Sequence, residues 1–194
     1  MPILQLPLSD MARLEFIKRA TATAGNDFDA GNYYLARETF DNLTDFAPVF
    51  ENALNQTNAL LSRRSKETRE SSEAFDKMET GVRDMWEVLR RRVNRNDEPA
   101  HVLTYYELPL DGITPKPTTK AEWYALAASM IDGDAKAAEA GYPAMQNPSA
   151  QDLKELLDKA RAEKNDASDA DREYDIAQED VEELRAKADE LISD

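Results

Sequence analysis

Apolar side chains recur between residues 153 and 191 at alternating intervals of three and four. The positions are Leu153, Leu156, Ala160, Glu163, Ala167, Ala170, Tyr174, Ala177, Val181, Leu184, Ala188 and Leu191, and only Glu163 is charged. Such an alternation keeps one stripe of a 3.6-residue helix turned toward one neighbour. The same spacing runs through Leu54, Thr57, Leu61, Arg64, Thr68, Ser71, Phe75, Met78, Val82, Met85 and Leu89. Two long helices are therefore predicted, from Pro48 to about Asn94 and from Ser149 to Ile192. Pro48 and Pro148 stand where an opening turn tolerates proline, and Ser149 with Asp152 has the spacing of a capping box. One stripe is rich in alanine and the other in bulkier side chains. Small facing large lets two helices approach closely, so the two are expected to pair.

Shorter helices precede each long one. Ser9-Asp10 is a capping signal ahead of Met11, Leu14, Phe16 and Ile17, and Gly25-Asn26 is expected to end that helix. Asp29 is expected to cap a second, AGNYYLARETFDNLTDF, which stops near Asp45. Farther on, Thr118 or Thr119 caps TKAEWYALAASMI, Asp132-Gly133 breaks it, Asp134 caps DAKAAEA, and Gly141-Tyr142-Pro143 ends it. The stretch GNYYLARETFDNLTDFAP resembles the second helix of a tetratricopeptide repeat in the spacing of Tyr33, Ala36, Phe40 and Pro48. The preceding helix lacks the matching aromatic, leucine and glycine positions and no 34-residue period follows, so no repeat family is assigned.

Between the two sets lies TYYELPLDGITPKP, residues 104–117. Its Leu108-Pro109-Leu110 repeats Leu6-Pro7-Leu8. The DxDA motifs at Asp27-Asp29 and Asp132-Asp134, the prolines 48 and 148, and the two registers follow in the same order at nearly constant offset. That order predicts an internal duplication, with halves of about 1–98 and 104–194 meeting at a junction near 97–117. Leu6, Leu8, Leu108 and Leu110 would pin extended chain against the helices. The expected fold is a single elongated all-α domain over residues 1–194: two long antiparallel helices, shorter packing helices and a pseudo-two-fold axis.

Composition narrows the function. No apolar run is long enough to span a bilayer, and MPILQLPLSD has neither the basic nor the apolar region of a signal peptide. A cytoplasmic location is the expectation, and export without a signal peptide fits the same sequence. The absence of cysteine removes disulfides and thiolate chemistry. A net charge of −15 argues against nucleic acid as the main partner. Residues 48–96 carry 10 basic and 8 acidic side chains, whereas 149–194 carry 7 and 16. This contrast favours pairing of the long helices with each other over self-pairing.

Candidate chemistry is sparse. Glu98-x-x-His101 has the spacing of a di-iron half-site, but Pro99 interrupts the helix that would align the pair, and the chain has one histidine. Asp27, Asp29, Asp132 and Asp134 have the spacing that opens many calcium loops. Gly31 falls fifth rather than sixth, however, and Pro143 occupies the twelfth position from Asp132. Helix capping by Asp29 and Asp134 is the favoured reading. Arg90-Arg91-Arg92 with Arg95 complements a helix C-terminus. Tyr105, Tyr106, Trp123, Tyr124 and Tyr142 are read as a small core where the short helices pack, with partner binding as the functional alternative. No nucleophile setting or phosphate loop is present, so no catalytic residue, cofactor or metal is assigned. The expected function is a non-catalytic scaffold or assembly subunit acting through a protein partner or self-association. The alternative is a module binding a divalent cation or small ligand near the DxDA turns.

Overall fold

The computed structural model describes residues 6–111, 113 and 115–193. It is all-α. Helix α1 spans Asp10–Asp29, α2 Arg37–Asn94, α3 Lys120–Glu139 and α4 Ala150–Ser193, and a 3₁₀ segment occupies Ala100–Tyr106. Of the expected junction, Gly112 and Thr114 lie outside the described residues, as do residues 1–5 ahead of the first LPL.

The caps follow the sequence closely. Ser9 Oγ accepts from the amide of Ala12, 3.2 Å away. Thr119 and Glu122 form a reciprocal capping box at the start of α3. Ser149 and Asp152 do the same ahead of α4, with the Asp152 amide 3.1 Å from Ser149 Oγ. In α4 every predicted stripe position is buried or half-buried. In α2 the stripe holds except at Leu61 and Thr68, which are exposed, while Leu60 and Glu67 turn inward instead.

Three boundaries differ from expectation, each for a packing reason. Helix α1 does not stop at Gly25-Asn26 but runs to Asp29; the turn after it carries Gly31 at φ +79°, and the amides of Ala30, Gly31 and Asn32 bond back to the last turn. Pro48 does not open a helix; it lies inside α2, because Leu43, Phe46, Ala47 and Phe50 form one continuous buried stripe across it. Proline removes the bond to the Thr44 carbonyl, but Thr44 and Pro48 are both exposed, so the freed carbonyl is left on the solvent-facing side of α2 rather than in the core. Gly133 does not break α3. It is buried mid-helix, and a Cβ there would lie 2.6 Å from Tyr106 Cα.

The chain divides by packing into two compact units: Met1–Ser65 with Asp169–Asp194, the terminal unit, and Lys66–Ser168, the central unit. This division differs from the halves drawn on sequence pattern. The landmarks of the predicted duplication also occupy unlike places. One DxDA motif closes α1 and the other lies inside α3. Leu108 is buried as expected, whereas Leu6, Leu8 and Leu110 are exposed and pin nothing.

In the terminal unit α1 packs on α2 and α4 through Leu14, Ile17, Leu43, Phe46, Phe50, Val181 and Ala188. Here α2 and α4 run antiparallel: Thr57 Oγ1 donates to the Ala177 carbonyl, and Arg64 Nε lies 2.5 Å from Asp171 Oδ1. Two bidentate pairs fasten α1 to α4, Arg13 to Asp189 at 2.7 and 3.0 Å and Arg185 to Asp10 at 2.7 and 2.9 Å. The central unit has its own core, in which Met78, Val82, Met85, Trp86 and Leu89 of α2 meet Val102, Leu103, Tyr106, Trp123, Met130 and Leu153. Leu153 and Leu156 of α4 close over Gly81 of α2.

Candidate functional site

The predicted aspartates are not helix N-caps. Asp29 is the final residue of α1 and is exposed, and Asp27 is half-buried two residues earlier, at the end of the helix where the dipole gives a carboxylate no help. Asp132 is exposed on α3, and Asp134 is buried in its interior at 6% exposure. The carboxylate of Asp134 accepts from the Tyr106 hydroxyl at 3.0 Å and from the Met145 amide at 2.9 Å. A buried carboxylate needs donors, and both of these meet its Oδ1. Asp134 thereby clasps the 3₁₀ segment and the α3–α4 loop onto α3.

The clasp extends to the end of α2. Arg92 Nη1 donates to Glu98 at 3.2 Å and to the Pro143 carbonyl at 2.8 Å, and Nη2 to the Ala144 carbonyl at 3.3 Å. Burial, with the negative charge of Asp134 beside it, pushes the Tyr106 phenol far above its ordinary 10.0, so it stays a neutral donor. Each charged group here is committed to a neighbour. Glu98 faces Arg92 while His101 Nε2 lies 2.7 Å from the Tyr142 hydroxyl, so the Glu-x-x-His pair shares no ligand position.

A further carboxylate trio, Glu67, Glu70 and Glu163, has oxygens within 4.8 Å of one another. The Lys66 ammonium stands 3.3 Å from Glu67 and 3.2 Å from Glu70, neutralising part of that charge, and its own pKa is raised first by the bond to Glu70.

Of the five predicted aromatics, Tyr106 and Trp123 are buried and present no surface to a partner. Arg83 lies 4.8 Å above the Trp123 ring. Tyr124 is half-buried against Phe75, and its hydroxyl donates to the Ala160 carbonyl at 3.2 Å. Tyr105 and Tyr142 are half-buried with ring centroids 6.0 Å apart. The group is chiefly core of the central unit, as the structural reading of the sequence expected.

The exposed aromatics lie elsewhere. Tyr33 and Tyr34, in the turn between α1 and α2, are 76% and 83% exposed. The Tyr33 ring leans on Phe28 at 5.5 Å, Phe28 meets Phe40 edge-on at 5.1 Å, and the Arg37 guanidinium covers both phenylalanines at 5.3 and 5.2 Å. Sequence reasoning placed GNYYLARETF in a helix, which hid this pair. The signal that could have found it is Gly31-Asn32, a turn immediately before two adjacent tyrosines.

Nine of the eleven large hydrophobics exposed among the described residues belong to the terminal unit. There α2 and α4 leave an open groove that α1 does not line. It comprises two adjoining depressions of about 540 and 570 Å³ that share Val49, Leu184 and Lys187. Phe46, Val49, Ala53, Leu184 and Leu191 contribute its apolar surface, and Asp45, Asp180, Glu183 and Glu190 its acidic rim.

No protein-family model matches the chain, and neither does any curated protein or solved structure.

Proposed function

We propose that the protein is a non-catalytic helical scaffold or assembly subunit whose terminal unit binds another protein. The observation that carries this reading is the pair Tyr33 and Tyr34. Tyr33 leans on Phe28, itself packed against Phe40 and Arg37, and so loses little conformational freedom on binding; Tyr34 stands exposed beside it, and tyrosine is enriched at interface hot spots. The concentration of exposed apolar side chains in the same unit supports it, since such patches mark interaction surfaces. The commitment of Asp134, Arg92, Glu98 and Tyr106 to one another supports a structural part for the central unit's polar cluster.

The test is quantitative copurification from the native source. Tagged wild-type protein is compared with the double variant Tyr33→Ser/Tyr34→Ser and with Ile113→Ser, which alters an exposed side chain of the central unit. The reading expects a stoichiometric companion that the double variant loses and the control keeps. Companions unaffected by the double variant would overturn it.

A further inference from the structure

Unit by unit, the charge of this chain is uneven. The terminal unit has 19 acidic and 9 basic side chains, a net −10 of the total −15. Around α4 these charges are used in two ways. On the side facing α1, Arg185 and Asp189 are matched by Asp10 and Arg13, which holds the carboxyls of Asp10 and Asp189 below their ordinary 3.8. On the groove side, Asp45, Asp180, Glu183 and Glu190 form no ion pair among the described residues. Lys187 is the one cation lining the groove, and it lies 5.7 Å from the Phe46 ring rather than on a carboxylate.

The groove has the form of a vacant helix position. From Asn42 to Gln56 its α2 wall covers about 21 Å at the helical rise, the length of a 14-residue helix. Val49, 53% exposed, stands in the wall shared by both depressions. Three helices already pack here, and a fourth laid between α2 and α4 would cover the apolar strip while its flanks met four unmatched carboxylates. Like charges on that rim oppose a second copy of the same acidic unit.

We infer that this groove receives an amphipathic helix of a partner protein, with an apolar stripe flanked by lysine and arginine. The inference rests on the interaction reading above and names the partner's chemistry. Recognition of this kind lays anchors at i, i+3, i+4 and i+7 into a groove, with the basic flanks setting orientation and on-rate.

The probe is a fluorescein-labelled 16-residue peptide carrying leucines at that spacing and lysines elsewhere, titrated by anisotropy against the full chain at low salt. Its counterpart has glutamate in place of lysine. Saturable 1:1 binding of the basic peptide is expected, with none of the acidic one. Asp180→Asn/Glu183→Gln should weaken it roughly three- to tenfold, as rim ion pairs do. Asp175→Asn/Glu179→Gln removes the same charge from exposed positions of α4 outside the groove and should leave affinity unchanged. Val49→Gln should weaken binding without altering the circular dichroism spectrum. Equal weakening by the two charge pairs would mean diffuse attraction only and would overturn the inference. So would absent saturation, or dimerisation that Val49→Gln abolishes in place of peptide binding. Loss of partners in the Tyr33/Tyr34 variant, with no groove-dependent peptide binding, would sink the groove and leave the interaction reading standing.

Discussion

Three helical glycines form a graded series for testing how tightly this fold is packed. A Cβ at Gly25 of α1 would meet only Phe40, at 3.8 Å, an ordinary contact. At Gly81 of α2 it would meet Leu156 Cδ1 at 2.9 Å and Leu153 Cδ1 at 3.3 Å, both at the ends of flexible side chains. At Gly133 of α3 it would meet Tyr106 Cα at 2.6 Å and the Tyr105 carbonyl oxygen at 2.8 Å, which are backbone. Alanine gains about 1 kcal/mol over glycine in a helix interior. At Gly25 nothing opposes that gain, and Gly25→Ala should stabilise by roughly 0.5–1 kcal/mol. At Gly133 the 3₁₀ segment must retreat by most of an ångström, an overpacking cost of about 1–3 kcal/mol. The same retreat stretches the 3.0 Å bond from Tyr106 to Asp134 beyond reach. A hydrogen bond to a charged group contributes about 1.5–3 kcal/mol, so the net destabilisation is roughly 1.5–5 kcal/mol. Gly81→Ala should fall between the two. Both tryptophans, Trp86 and Trp123, lie in the central unit, so urea unfolding followed by their fluorescence reports Gly133→Ala and Gly81→Ala directly. Far-ultraviolet dichroism reports Gly25→Ala. A Gly133→Ala protein as stable as the parent would refute the close approach of the 3₁₀ segment to α3.

Asp134→Ala leaves the Tyr106 hydroxyl and the Met145 amide without an acceptor and should cost about 2–5 kcal/mol by urea unfolding. Millimolar calcium should leave the melting temperature of the unsubstituted protein unchanged; a rise that Asp134→Ala abolishes would instead support a cation site. The depressed carboxyls of Asp10 and Asp189 contribute stability that is fully present above their ordinary 3.8 and is lost as pH falls through their folded values. Thermal melts of wild type should therefore lose stability below about pH 4, and Asp10→Asn/Asp189→Asn should be less stable at neutral pH with a shallower acid limb. From Asn58 to Glu73 no side chain of α2 is buried, and from Arg161 to Asp169 none of α4 is. Amides at 62–72 should therefore exchange faster than those at 78–89, and equal protection would contradict the account.

Much of the helical frame was legible because its signals are local or periodic. Ser9, Thr119 with Glu122, and Ser149 with Asp152 act through neighbours three residues away, and the α4 stripe repeats often enough to fix its buried face. What escaped depends on distant chain. Gly133 reads as a breaker until the backbone of Tyr105 and Tyr106 is seen against it. Asp134 reads as a cap until Tyr106 and Met145 supply the donors that let it be buried. Pro48 reads as a helix start because proline usually is one there, yet the apolar stripe from Leu43 to Phe50 outweighs a single lost bond on a wet face. The exposed aromatics escaped for the same reason. The aromatics clustered in sequence at 105–142 fill a core, whereas Tyr33 and Tyr34 are left outside by a turn that Gly31 creates.

The claim that the terminal unit is the binding surface is tested most directly by site-specific photo-crosslinking in the native source. A benzophenone amino acid is placed singly at Tyr34, at Val49 and, for comparison, at Ile113, all solvent-exposed. Irradiation should yield a discrete heterologous adduct from positions 34 and 49 and none from 113. Adducts confined to position 113, or no discrete adduct from either position of the terminal unit, would contradict the account.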